Sequence, residues 1–181
     1  MIETERLILR PPREDDCEWW LAALNTAAVN RHLGGPREPA AVARQWSRNV
    51  ATFGERGRGF RVAELRENGM AIGQIGFSDV GEALAPELMR GEPQIGWKFA
   101  EPHWGQGLAE EAARATLQWG FDEAGFTVVW AQTSDSNAAS TRLIGRLGLT
   151  VCPELSYRDP DYPAADNPTT VYRAARAGWR Q

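Results

Sequence analysis

The stretch PQIGWKFAEPHWGQGLAEEAARATLQWGFDEAG, Pro93–Gly125, decides the fold. An apolar extended run ends at Pro102, and a helical pattern follows two closely spaced glycines, Gly105 and Gly107. Glycines at a helix entrance leave backbone N–H groups accessible, and the positive end of a helix binds anions. We therefore predict a strand, an anion-binding turn and a helix from Gly105 to Ala124. The apolar stripe of that helix is Leu108, Ala112, Ala115 and Trp119.

The segments on either side of this stretch predict the sheet. Phe126–Thr133 (FTVVWAQT) is apolar enough for a strand buried on both faces, so the preceding helix is a crossover. Upstream, Gly59–Phe77 predicts two strands joined at Asn68-Gly69, a dipeptide that accepts the positive φ angles of a tight hairpin. The prediction is an α+β fold with a mixed, mostly antiparallel sheet that changes character near Pro93–Ala100.

The remaining elements follow from periodicity and end signals. They are a strand at Arg6–Arg10, a helix after Asp15-Asp16, a helix at Ala40–Phe53, a helix from the Ser/Asn cap near Asn137 to Gly148, and a last strand at Thr170–Arg176. At 181 residues the chain is predicted to form one domain over residues 1–181.

Composition excludes several classes of function. Twenty Lys plus Arg against 24 Asp plus Glu give a net charge of −4, and no basic run is present, which disfavours nucleic-acid binding. The N-terminus has no secretory pattern and no window has the length of a membrane span, so we expect a cytoplasmic protein without a membrane partner. The spacing of the two cysteines and two histidines predicts no metal site.

The glycine turn does not match the common nucleotide loops. A dinucleotide fingerprint needs a third glycine where Glu110 stands, and a P-loop needs a lysine where Leu108 stands. A turn at the end of a strand instead suits a pyrophosphate whose attached arm runs back along the strand edge, which is the shape of coenzyme A. The alternative is that the glycines only shape the turn.

Trp104–Ala112 (WGQGLAEEA) resembles the acyl-CoA-binding loop of the GNAT superfamily of N-acetyltransferases. Gly107 and Ala109 fill the last two places of the family pattern, whereas Trp104 stands where Gln or Arg is usual. Three more segments, TERLILRPPREDD, IGWKF and NAASTRLIGRLGL, resemble the branch of ribosomal-protein N-terminal acetyltransferases in the same order. The resemblance spans Thr4–Leu149.

This resemblance implies a GNAT-like sheet flanked by helices, with a splay between the central strands that receives acyl-CoA. It also implies acetyl transfer from acetyl-CoA to a primary amine by direct attack in a ternary complex. Core packing is the alternative for Trp97 and Phe99, helix capping is the alternative for Asn137, and a hydroxyl that only faces solvent is the alternative for Ser140. The residues expected to bind acetyl-CoA are Trp97, Lys98, Phe99, Trp104, Gly105, Gln106, Gly107, Leu108, Ala109, Asn137 and Ser140.

The residue that protonates the leaving thiolate is left open by the resemblance. Many relatives carry a tyrosine on the helix after the asparagine, and the matching position here is Ile144. Ser140 and Tyr157 are the substitute donors.

The base is also left open. Many relatives have a glutamate where this chain has Gln94, whose neutral amide cannot accept a proton. Glu92, Glu101 and His103 are the candidates, acting directly or through water, with Glu92 as our choice for the catalytic set.

The acceptor is expected between the loops Arg31–Pro39 and Pro153–Pro168, as a small molecule or a protein N-terminus. Three acids in the second loop, Asp159, Asp161 and Asp166, either favour a cationic amine or only add solubility. A homodimer is a further expectation. The competing functions are a CoA-binding sensor or interaction module with little turnover, and a structural protein without a ligand.

Overall fold

The computed structural model describes residues 1–81, 85–160 and 162–179. The strands in these residues are β1 (Ile2–Glu3), β2 (Leu7–Arg10), β3 (Phe60–Leu65), β4 (Ala71–Asp79), β5 (Pro93–Phe99), β6 (Val128–Ser134), β7 (Thr150–Val151) and β8 (Thr169–Ala175). The α-helices are α1 (Asp16–Leu24), α2 (Pro39–Arg56), α3 (Leu108–Asp122) and α4 (Ala138–Arg146). The strands form one sheet in the order β1-β2-β3-β4-β5-β6-β8-β7.

The sheet is antiparallel except at one place. β5 and β6 are parallel, and α3 is the crossover between them. In the described residues these two strands pair only at Gln94 and Trp130, so they diverge toward their carboxyl ends. The predicted α+β sheet, its change of character at β5 and the splay between central strands are confirmed.

Helices cover both faces of the sheet. The larger core lies on the face covered by α3 and α4 and includes Ile95, Phe99, Leu117 and Phe121. The second core lies on the opposite face, where Trp20 of α1 and Trp46 of α2 pack over Val62. Burying each large side chain contributes about 1.5–3 kcal/mol. Because side chains alternate along a strand, β5 sends Ile95 and Phe99 to one face and Lys98 to the other.

The crossover helix is shorter than predicted. It begins at Leu108, not at Gly105, and it ends at Asp122, two residues before the predicted Ala124. Gly105 (φ 73°) and Gly107 (φ 77°) lie in the left-handed region, which cannot continue a right-handed helix. The glycines therefore form the turn before the helix, and Gly107 is its N-cap.

Glycines also shape β5 and the hairpin turn between β3 and β4. Gly96 forms no bulge: it pairs in register with Gly76, and its missing side chain leaves room for the Phe60 ring, 3.2 Å from an ideal Cβ. The register shift between β3 and β4 lies between Ala63 and Glu64. In the hairpin turn Gly69 has a positive φ and Asn68 does not, and the Asn68 side chain accepts a hydrogen bond from the Met70 amide.

Candidate functional site

The carboxyl ends of β5 and β6 define one edge of the sheet. The two strands are parallel, so the chain leaves both of them at the same side. β5 continues into the glycine turn and α3, and β6 continues into Asn137 and α4. The splay opens toward this edge, where open sheets commonly bind ligands.

The glycine turn presents a row of unused backbone donors. Six consecutive N–H groups, from Gly105 to Glu110, have no acceptor in the part of the chain that the structure describes, and Glu111 is the first to bond back, to Gly107 O at 3.0 Å. These donors lie at the positive end of α3, where the helix dipole favours an anion. The arrangement fits a phosphate or pyrophosphate group.

The side chains of the turn fold back and leave those donors open. Trp104 donates from its indole nitrogen to Phe99 O at 2.7 Å, and Gln106 donates from Nε2 to Pro102 O at 2.9 Å. Trp104 as a whole residue is 48% exposed. Trp104 and Gln106 thus fix the turn through these bonds, while Gly105 and Gly107 contribute backbone alone.

Arg6 adds a positive charge to the turn, and nothing in the sequence predicts it. Its Nη1 donates to Gln106 O at 3.0 Å, and its Nη2 would lie 3.5 Å from a Cβ on Gly107. Glu111 holds the guanidinium through Nε at 2.6 Å. Burial alone would raise the pKa of Glu111, but hydrogen bonds from Thr4 and Arg6 outweigh it and lower that pKa. No local pattern links Arg6 to a turn 100 residues away.

The side chains of β5 that were expected to contact the cofactor have to be considered apart from the backbone of that strand. Phe99 is buried in the core and its ring fills the space beside Gly73, and Trp97 packs half-buried against the same core. Core packing, the alternative stated for both side chains, is what the structure shows for them. Leu108 is buried too, and Ala109 is half-buried. Beyond Gln94, the β6-facing edge of β5 has no strand partner in the described residues.

Asn137 is a helix cap with a spare donor. Its Oδ1 accepts from the Ser140 amide at 3.2 Å, which confirms the capping alternative. Within the described residues the Asn137 amide nitrogen and the Ser140 hydroxyl have no partner, and both side chains are half-buried. These two groups are therefore open to a ligand at the same sheet edge.

A chain of hydrogen bonds crosses the floor of the splay. Tyr157 donates to Gln132 Oε1 at 2.7 Å, and Gln132 donates from Nε2 to Gln94 Oε1 at 2.7 Å. Burial raises the pKa of Tyr157, with a further contribution from Asp159, so the hydroxyl keeps its proton at neutral pH. Ile144, by contrast, is buried in the core and carries no polar group.

The candidate bases are not brought together. Glu92 is exposed in the turn before β5, whereas Glu101 (exposed) and His103 (half-buried) follow the other end of the strand. Seven residues of strand span about 20 Å, so the two sets cannot serve one reacting atom. Their catalytic roles stay predictions.

A second histidine joins the loops that flank the edge. His32 Nδ1 lies 2.8 Å from Asp166 Oδ1 and 3.1 Å from Ser136 Oγ, and Ser136 also donates to Asp166. The hydrogen bonds from His32 and Ser136 lower the pKa of Asp166. This His32–Ser136–Asp166 cluster ties the α1–α2 loop to the C-terminal loop, and sequence spacing gives no sign of it. Asp161 lies outside the described residues.

The acidic and histidine side chains of the described residues were also compared with the requirements of a metal site. No group of three or more His, Cys, Asp or Glu residues in residues 1–81, 85–160 and 162–179 is placed to hold a metal ion. No helix in those residues has both the length and the apolarity to cross a membrane.

Comparison with known proteins relates this geometry to one family. Residues 6–150 match the family described as Acetyltransferase (GNAT) domain. The chain is 32% identical over 151 residues to the uncharacterized N-acetyltransferase YoaA of Bacillus subtilis (strain 168), which covers 82% of each chain.

Solved structures share the fold. An acetyltransferase from Agrobacterium tumefaciens str. C58 superposes with a TM-score of 0.78 at 29% identity, covering 96% of this chain and 92% of that one. RimL, a ribosomal L7/L12 alpha-N-protein acetyltransferase in complex with coenzyme A, superposes with a TM-score of 0.72 at 15% identity, covering 95% of each chain. The second likeness shows the fold alone.

Proposed function

The chain is a member of the GNAT acetyltransferase family, and from that membership we propose that it transfers the acetyl group of acetyl-CoA to a primary amine. The observation that carries the proposal is the row of free amides from Gly105 to Glu110 at the start of α3, beside the splay between β5 and β6. The turn has the donors that a pyrophosphate needs, and the splay has an open strand edge for the arm attached to it.

Binding is assigned to backbone more than to side chains. The amides of Gly105–Glu110 would hold the pyrophosphate, and Arg6 would neutralise part of its charge through Nη2. The free edge of β5 and the Asn137 amide nitrogen would hydrogen-bond the pantetheine arm. Of the expected set, Gly107 matters because a Cβ there would stand within this row of amides, 3.5 Å from Arg6 Nη2.

The chemistry needs a neutral amine beside a thioester carbonyl. Acetyl-CoA supplies that carbonyl, and a C–N bond forms as the C–S bond breaks. A proton must then leave the amine nitrogen, and the thiolate of coenzyme A must gain a proton. Orientation of the two reactants can supply a large part of the lowering of the barrier. The protein then has to place the amine, accept one proton and protonate the thiolate.

Tyr157 is our choice for the residue that protonates the leaving thiolate of coenzyme A. It keeps its proton at neutral pH, and its hydroxyl is aligned by Gln132 at the floor of the splay. Ser140, whose hydroxyl has no partner in the described residues, is the second donor at the same edge.

For the amine proton, Glu92 would act through water, since its side chain is exposed in the turn before β5. His32, held through Nδ1 by Asp166, joins it as a candidate that the sequence does not reveal.

The first experiment separates ligand binding from backbone strain. Gly107 (φ 77°) and Gly125 (φ 73°) are both left-handed, and among the described residues the only atom within 4 Å of an added Cβ is Arg6 Nη2, beside Gly107. Gly107→Val and Gly125→Val should therefore lose similar stability, about 1–2 kcal/mol. Calorimetric titration with acetyl-CoA should show at least a tenfold weaker affinity for Gly107→Val and an unchanged affinity for Gly125→Val.

The opposite results would count against the proposal in different ways. Unchanged affinity in Gly107→Val would mean that the turn does not hold the pyrophosphate. Tight binding in the parent protein without thiol release from acetyl-CoA, over a broad panel of amines, would favour a CoA-binding module instead.

A further inference from the structure

A cavity lies on the face of the sheet opposite α3. It has a volume of about 230 Å³ and opens between α1, α2 and β5. Its walls include Trp20, Leu33, Trp46, Gly96, Trp97 and Lys98. The last three belong to the strand whose free edge we assign to the pantetheine arm, so the cavity adjoins the place where the acetyl group would arrive.

Lys98 is the one lysine in the 181-residue chain, in which the other 19 basic residues are arginines. Its ammonium group donates to Asn30 Oδ1 at 2.7 Å and lies 5.0 Å from the centre of the Trp20 ring. Asn30 is buried, and its amide nitrogen donates to Leu24 O at 2.6 Å and to Thr26 O at 3.0 Å. These two bonds fix the amide so that its oxygen faces the lysine.

Lys98 forms no salt bridge with any acidic residue in the part of the chain that the structure describes. None of the residues described as lining the cavity is an aspartate or glutamate. Burial, and after it the positive charge of Arg37, lowers the pKa of Lys98 to about 8. At neutral pH the side chain is still mostly protonated, so a half-buried ammonium faces the cavity with an amide and an aromatic ring as its neighbours. An ammonium held this way gains most from an anion.

Building on the proposed function, we propose that the acceptor is a small primary amine that also carries a carboxylate or a similar anionic group, and that Lys98 binds this group. The cavity is smaller than the roughly 300–1,000 Å³ of sites for drug-sized ligands, which favours a small molecule over a long chain. Trp20 and Trp46 would contact the apolar part of the acceptor.

The proposal changes the expected charge of the acceptor. Of the acids expected to favour a cationic amine, Asp166 is already bonded to His32 and Ser136, and neither it nor Asp159 lines the cavity. The charge that faces the acceptor is positive.

The test compares amino acids with their carboxamides. Phenylalanine and phenylalaninamide have the same amine and ring, and only the first has an anion. We expect kcat/KM for acetylation to be at least tenfold higher for the acid in the parent protein, and Lys98→Met to abolish the difference. Arg176→Met, which removes an exposed charge after β8, is the matched control and should keep the preference.

A second measurement reads the same site without catalysis. Protein labelled with ¹³C-lysine gives one lysine signal, because the chain has one lysine. Saturating phenylalanine should raise the pKa of Lys98 obtained by titrating that signal, since a nearby anion favours the charged form. Phenylalaninamide should leave it unchanged.

Each contrary outcome has a separate meaning. Equal rates with the acid and the amide would overturn the anionic acceptor and leave acetyl transfer standing. A fall in kcat with all amines in Lys98→Met would mean that the lysine is a base. Acetylation of Lys98 itself, or activity confined to peptides, would also overturn the assignment. Transfer to no amine at all, with acetyl-CoA still bound, would instead overturn the proposed function.

Discussion

Tyr157 shows how one side chain can have both a structural and a chemical use. Its hydroxyl completes the hydrogen-bond chain to Gln132 and Gln94, which closes the splay at the point where β5 and β6 separate. Because that chain ends on neutral amides, it orients the hydroxyl without removing its proton. The phenol is therefore available to a thiolate that forms beside it.

We expect Tyr157→Phe to lower kcat about 100-fold, the lower range for loss of a positioned proton donor. The dissociation constant of acetyl-CoA should stay the same, because the substitution removes one hydroxyl away from the glycine turn. Tyr172→Phe, in β8, is the control, since the Tyr172 hydroxyl has no hydrogen bond in the described residues. Steady-state kinetics with a saturating amine would measure the effect, and an unchanged kcat would rule out Tyr157 as the donor.

At the scale of single residues, the sequence allows prediction of those residues that belong to a local sequence pattern. Gly105, Gly107 and Asn137 were expected to bind acetyl-CoA; the structure places them where the chain leaves β5 and β6, and their binding role stays a prediction. Arg6 and His32 were not expected, because each meets its partners across about 100 or more residues and no spacing rule describes such contacts. Lys98 was expected to bind the cofactor, but its side chain points to α1 because alternation along β5 places it on that face.

At the scale of elements, the sheet depends on close contact between β3 and β4. A Cβ on Gly76 would lie 2.0 Å from Gly59 O and 2.6 Å from the Phe60 Cα, and both neighbours are backbone atoms that a side-chain rotation cannot move. This contact is long-range in sequence, so the glycine-rich pattern of β4 does not reveal which of its glycines is required.

We expect Gly76→Ala to destabilise the protein by about 3 kcal/mol, at the upper end of the range for overpacking. Gly54→Ala is the matched control: Gly54 lies within α2, and no atom of the described residues is within 4 Å of its added Cβ, so alanine should stabilise by about 0.5–1 kcal/mol. Urea unfolding of both variants measures the two free energies. A loss below 1 kcal/mol in Gly76→Ala would mean that β3 and β4 can move apart without penalty.

The order of elements and most of their bounds follow from periodicity and end signals. α2 was predicted at Ala40–Phe53 and extends over Pro39–Arg56. The start of α3 was predicted at Gly105 and lies at Leu108. Glycine is compatible with both a helix and a left-handed turn, so the local sequence does not distinguish the two. β1 was not predicted, since its two residues pair with β2 through contacts that a two-residue pattern cannot indicate.

For the whole molecule, one buried ion network links the sheet to the helices on its second face. Arg10 of β2 donates to Asp16 of α1 at 2.8 Å and to Glu64 of β3 at 2.6 Å, and the Arg13 amide also donates to Asp16. Burial would raise the pKa of Asp16, but the hydrogen bonds from Arg10 and Arg13 outweigh it and lower that pKa.

This network predicts how stability changes in acid. Because the pKa of Asp16 is lower in the folded chain, its charge stabilises the fold above about pH 3.9, the usual value, and this contribution is lost as pH falls through the lower, folded value. Asp16→Asn should therefore lose about 3 kcal/mol at pH 7, and the loss should shrink below pH 4. The exposed neighbour Asp15, which makes no capping bond, provides the control Asp15→Asn. If the free energy of unfolding changed with pH in the same way in Asp16→Asn and in the parent protein, the proposed role of this network would be contradicted.

The two outermost strands of the sheet, β1 and β7, are each two residues long. An edge strand of that length offers a second chain few backbone groups, which disfavours joining copies of this protein by continuing one sheet into the next. We therefore expect the homodimer to bury helix or loop surfaces, and we expect the short edges to disfavour strand-to-strand aggregation of the folded chain at high concentration.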